Sequence, residues 1–148
     1  DALTALEPGV WNAGVPITVV PVASVDALGR VAVDTSKLAE LVAAGLPPEI
    51  YLLAPDSSRS ERWRARMFAP GIGIAEDPAT GAAAVAAAGL LATVAVDGEA
   101  RWLIEQGVEM GRRSRLDLSA TVRSGVAQTA RLGGSAVLVG EGTLRLAD

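Results

Sequence analysis

Histidine and cysteine are both absent from the 148 residues. Their absence removes the thiol nucleophile, the imidazole base, the disulfide framework and the usual structural zinc site. Any acid–base chemistry falls to carboxylates. Aromatics are scarce: Trp11, Trp63, Trp102, Tyr51 and Phe68 are the full set. No basic run exceeds the pair Arg112-Arg113 and the net charge is −4, which argues against nucleic acid or an anionic membrane as partner. The chain begins with Asp1, and no basic segment leads into an apolar one, so no signal peptide is read and a cytoplasmic location is expected.

What is abundant is small and apolar. Half of the residues are hydrophobic, drawn mainly from Ala, Val and Leu, and 16 more are Gly. Such a chain buries surface through close backbone approach more than through large side chains. The length suits a single domain over residues 1–148, without internal repeat or linker.

Residues 78–96 (PATGAAAVAAAGLLATVAV) carry no charge over nearly the length of a membrane span. They lack Ile, Phe and a Lys/Arg flank, and they follow Glu76-Asp77, so a helix buried inside a globular domain is the expectation. Strands surround it in the sequence. Residues 15–25 read as a Pro-bounded strand and 26–30 as a turn; Thr35 or Ser36 caps a helix running to Leu46, with Leu38, Leu41, Val42 and Leu46 on one face. Residues 49–54 and 62–69 are strands, the latter alternating Trp63, Ala65 and Met67 inward against Arg62, Arg64 and Arg66, with a polar turn over 56–60 between them. Asp97-Gly98 marks a turn before strands over 101–106, 116–122, 126–132 and 136–139, with turns at Gly133-Gly134 and 140–142. Strands and helices do not alternate regularly, which predicts an α+β fold with a mixed, largely antiparallel sheet rolled around one central helix.

The chemistry concentrates at the entry to that helix, residues 69–82 (APGIGIAEDPATGA). Asp77-Pro78 fits an N-cap with Pro at the first helical position, and Thr80-Gly81 offers a second cap. The same stretch fits an anion site, because the amides of Gly81 and Ala82 are unobstructed by bulky side chains and supported by the helix dipole. Gly71-x-Gly73 is no nucleotide loop, since Glu76 stands where the third glycine belongs and no P-loop lysine follows. Glu76 fits either a second acid or a carboxylate favoured by the dipole. Arg112, Arg113 and Arg115 fit an anionic ligand or a solvated strand edge. Trp63 and Trp102 read as core or interface anchors, because stacking platforms need basic grooves beside them.

Three segments in order resemble the second half of the PhzF-like phenazine-biosynthesis isomerase family: EDPATG at 76–81; QGxxMGRxS with Gln106, Gly107, Met110, Gly111, Arg112 and Ser114; and GGSAVLVG at 133–140. The resemblance implies one lobe of the diaminopimelate epimerase-like fold, in which two similar lobes face each other across the site at their central helix N-termini. It implies chemistry without metal or organic cofactor, with a Glu of the first lobe moving a proton on a small carboxylated substrate. It assigns Asp77 to the polar network at the reacting centre, and Thr80, Gly81 and Ala82 to the substrate. The family position after Thr-Gly is commonly Ser, so Ala82 removes a hydroxyl while its amide remains.

The expected partners are therefore a small carboxylated substrate and either an N-terminal lobe of the same family or a second copy in a homodimer. The first arrangement makes this chain the C-terminal lobe of an isomerase, inactive without the other lobe. The second makes it a half-sized binding protein that pairs lobe to lobe.

Overall fold

The structure, a computed structural model, describes residues 6–56 and 61–145. Of the polar turn expected at 56–60, only Asp56 falls within them. In chain order the elements are β1 (Gly9–Asn12), β2 (Pro16–Pro21), α1 (Val25–Gly29), α2 (Thr35–Ala43), β3 (Ile50–Pro55), β4 (Arg62–Ala69), a 3-10 turn (Pro70–Ile72), β5 (Ile74–Asp77), α3 (Gly81–Ala92), β6 (Gly98–Gln106), β7 (Ser114–Arg123) and β8 (Val126–Gly134). The strands form one sheet in the order β1-β2-β3-β4-β6-β7-β8, with β5 also paired to β4. Neighbours are antiparallel except β2 with β3 and β4 with β6, the two pairs whose connections carry helices.

Helix α3 packs against β1 and β2 as well as β7 and β8. Those strands come from opposite ends of the sheet order, so the sheet curls around the helix, and the α+β expectation holds. Alternation supplies the inward face: Ile17 and Val19, Tyr51 and Leu53, Trp63, Ala65 and Met67, Trp102 and Ile104, and Leu116 to Val122 at every second residue join the alanines of α3 in one core. Alanine favours the helix intrinsically and keeps it narrow enough for the sheet to wrap most of its surface, leaving only Ala82 exposed. At Gly89 even a methyl is too much, since a Cβ there would lie 2.4 Å from the Trp11 ring. No helix of the described residues is long and apolar enough to cross a membrane.

The outer face of β3 and β4 is covered too. Leu28 of α1 packs with Leu52, Ala54 and Phe68, which is why β3 reads as a continuous apolar run instead of alternating. Arg66, expected outward with Arg62 and Arg64, is buried on this face.

Several expectations are corrected. The strand expected at 136–139 does not form: β8 continues through Gly133 and Gly134, which pair with Asp117 and Leu116 instead of turning. Beyond them the chain has no strand beside it, and Val137, Leu138 and Val139 are 82%, 79% and 94% exposed. The strand of 15–25 is only Pro16–Pro21, because Ser24 accepts from the Ala27 amide and starts α1 where a turn was read. The cap of α2 is Asp34, whose carboxylate accepts from Ser36 and Lys37. Only Leu38 of its expected face is fully buried. Strands β1 and β5 were unforeseen.

Candidate active site

The edge of β4 is shared by two strands. Its first half pairs with β6, ending at Ala65 opposite Gln106. Its second half pairs with β5, where Met67 lies opposite Asp77. Because β6 runs parallel to β4 and β5 antiparallel, the C-terminal ends of β5 and β6 approach each other head to head. Both chains leave the sheet there, one through Pro78 into α3 and the other through Gly107. Gly107 has φ +74°, and a Cβ on it would sit 2.5 Å from the Arg112 carbonyl oxygen and 2.8 Å from that of Pro78, so glycine alone fits this crossing.

Gln106 joins the two ends. Its Nε2 donates to the Asp77 carbonyl oxygen at 2.7 Å and to Thr80 Oγ1 at 2.9 Å. Its Oε1 accepts from Tyr51 Oη at 3.2 Å and from the Thr80 amide at 3.3 Å. Both donors and both acceptor positions of this fully buried amide are thereby used. Thr80 in turn donates its hydroxyl to Asp77 Oδ2 at 2.5 Å. Burial pushes the Tyr51 phenol far above its ordinary range, so it stays a neutral donor.

Of the residues singled out in the sequence, Asp77 ends β5, Thr80 precedes α3, and Gly81 and Ala82 open it. The structure brings all four together. Asp77 is not the helix cap; the extended Thr80 holds that position, and no side chain caps α3. Among the described residues nothing accepts from the amides of Gly81, Ala82 or Ala83, and Asp77 Oδ1 makes no hydrogen bond. The opening of α3 therefore presents three unpaired donors beside a carboxylate oxygen, a setting suited to an anionic group carrying a transferable proton. Leu132 closes one side, 3.3 Å from where a Cβ on Gly81 would be.

Glu76 is neither a second acid at the site nor a loop carboxylate. It faces away from Asp77 and pairs with Arg66, Nε to Oε1 at 2.8 Å and Nη2 to Oε2 at 2.9 Å, which holds the Arg66 guanidinium above its ordinary pKa. Arg66 Nη1 also reaches the carbonyls of Leu28 and Val31 at 3.1 and 2.9 Å. Arg113 is paired with Glu105 and Arg115 with Asp117, while Arg112 has no ion pair among the described residues. Trp63 and Trp102 belong to the core. Among the described residues no three carboxylates gather as metal ligands.

Sequence reasoning left Gln106 and Tyr51 out of the site. The signal for Gln106 was present, because it occupies the inward phase set by Trp102 and Ile104, where a polar side chain demands partners.

A sheet curled about a helix whose N-terminus lies open is the lobe of a PhzF-type fold. The chain resembles the crystal structure of the Bacillus anthracis phenazine biosynthesis protein of the PhzF family with a TM-score of 0.64 at 21% identity, over 88% of this chain and 49% of that one. Residues 1–142 match the phenazine biosynthesis-like protein family, PhzC-PhzF, and the chain belongs to that family. It is 41% identical over 141 residues to an uncharacterized isomerase of Mesorhizobium japonicum, covering 90% of this chain and 46% of that protein. It is 40% identical over 86 residues to the trans-2,3-dihydro-3-hydroxyanthranilate isomerase of Pseudomonas chlororaphis, covering 57% of this chain and 31% of that one. The chain thus spans less than half the length of these curated relatives.

Proposed function

We propose that this chain is the C-terminal lobe of a cofactor-independent isomerase that shifts a proton on a small carboxylated substrate. The observation that carries the reading is the pairing of Asp77, anchored at Oδ2 by Thr80 and unbonded at Oδ1, with the open amides of Gly81 and Ala82. The amides hold the substrate's carboxylate against the positive end of α3. Asp77 Oδ1, free of other hydrogen bonds, holds or relays the migrating proton at the reacting carbon as a general acid or base. A Glu on the N-terminal lobe, outside these residues, takes the proton first, so the chain alone is inactive. The Pseudomonas chlororaphis relative, a trans-2,3-dihydro-3-hydroxyanthranilate isomerase, makes trans-2,3-dihydro-3-hydroxyanthranilate the first substrate to test.

A second reading rests on the exposed run Val137, Leu138 and Val139 with Leu144. Exposed apolar side chains clustered in one segment suit an interface. An N-terminal lobe covers it in the first reading, and a second copy of the chain covers it in the second. One experiment separates them: solvent deuterium incorporation into trans-2,3-dihydro-3-hydroxyanthranilate, with the mass of the protein in solution measured on the same sample. No exchange by the chain alone, with exchange once an N-terminal lobe is supplied, is the expected result. A homodimer that shows no exchange, alone or with an N-terminal lobe supplied, overturns the first reading in favour of the second.

A further inference from the structure

Thr80 stands at the N-cap of α3 with φ −112° and ψ 95°. A threonine there ordinarily accepts a hydrogen bond from the amide two or three residues on, here Ala82 or Ala83. Its hydroxyl instead donates to Asp77 Oδ2. The cause lies on β6, where Gln106 Nε2 places a proton on Thr80 Oγ1. With the hydroxyl donating to Asp77 and accepting from Gln106, its oxygen is held where neither the Ala82 nor the Ala83 amide reaches the remaining lone pair. The Gln106 amide cannot turn over, because its Oε1 already receives the Tyr51 hydroxyl and the Thr80 amide. A reversed amide would set donor against donor.

We propose that Gln106 is a positioning residue that diverts Thr80 from capping α3 and so keeps the amides of the first turn open. The inference deepens the reading above and depends on it only for what the open amides receive. The diversion itself is measurable without any ligand.

The test is amide hydrogen exchange, resolved by NMR at Ala82 and Ala83 of the 148-residue chain. In Gln106→Leu the released hydroxyl caps the helix, and exchange at one of these amides slows about tenfold. In Gln106→Leu/Thr80→Val, which has no hydroxyl to cap with, the fast exchange returns. Thr80→Val alone leaves exchange within about twofold of wild type, because the hydroxyl was not capping. A merely structural role for Gln106 predicts faster exchange in every variant, and that result overturns the proposal. If Gln106→Leu fails to fold, Gln106→Met takes its place with the same expectation, and a tenfold acceleration in Thr80→Val by itself overturns the proposal, since it means that Thr80 does cap. A benzoate titration read at the Gly81 and Ala82 amides separates the two inferences. The exchange pattern without benzoate-dependent shifts supports the diversion while overturning the carboxylate reading. Benzoate shifts with unchanged exchange in Gln106→Leu do the reverse.

Discussion

Arg66 closes on Glu76 through two parallel hydrogen bonds of 2.8 and 2.9 Å, and the carboxylate so gripped is the residue immediately before Asp77. On the outer face of the sheet the pair pins β5 to the edge of β4, while two carbonyls at the end of α1, those of Leu28 and Val31, take the donors of Nη1. Arg66→Met leaves the half-buried Glu76 without a counter-charge. The expected loss is about 2 kcal/mol, below the cost of orphaning a fully buried charge, read as a lower urea midpoint. The double variant Arg66→Met/Glu76→Met recovers most of it, because the burden is the orphaned charge more than the missing attraction. A double variant no more stable than the single one contradicts this account.

Tyr51 sets an alkaline limit. Its folded-state pKa is raised by burial while the unfolded phenol titrates near 10. Below that pH both states hold the proton and the stability is full. Above it only the unfolded state releases the proton, so stability falls by about 1.4 kcal/mol per pH unit. One tyrosine, one lysine, no histidine and no cysteine make this range unusually clean. Denaturation curves from pH 8 to 11 are expected to show the slope in the wild type and its loss in Tyr51→Phe.

Gly107→Ala forces a Cβ against two carbonyl oxygens at a positive φ. Backbone strain of this kind costs on the order of 1–3 kcal/mol, and the contact adds to it. Because the crossing joins the ends of β5 and β6, the amide resonances of Asp77 and Thr80 shift as well. A variant as stable as wild type with those resonances unmoved would show that the crossing tolerates a side chain.

Asp77→Asn keeps the size of the side chain and removes its proton-handling capacity. In a two-lobed protein carrying this lobe, isomerisation is expected to fall about a hundredfold or more, with the thermal midpoint unchanged. Deuterium exchange into the substrate measures it, and wild-type rates rule the role out.

Much of the frame was legible because the relevant patterns are local. The alternation of 62–69 and 116–122 and the uncharged, alanine-rich stretch after Pro78 each declare an element without outside information, and together they specify a sheet around a helix. The short β1 and β5 declared nothing, since four residues owe their extended form to the longer strand beside them. Residues 136–139 erred the other way, with strand composition and no neighbour to pair. At the site, the loop carrying Asp77 and Thr80 was readable from its cap chemistry. The role of Glu76 was not, because its partner sits ten residues upstream on a face that only α1 makes interior. Gln106 required knowing that two strand ends meet.

That meeting makes β4 a ruler. Ala65 holds the end of β6 and Met67 the end of β5, so the interval between Gln106 and Asp77 is two residues of extended backbone, roughly 7 Å. Bond lengths set it, independent of loop sequence. The segment after Gly134 is free to lengthen, shorten or change its side chains without altering the gauge at which the carboxylate and its support are mounted. The segment beyond β8 can vary while the fixed interval stays unchanged.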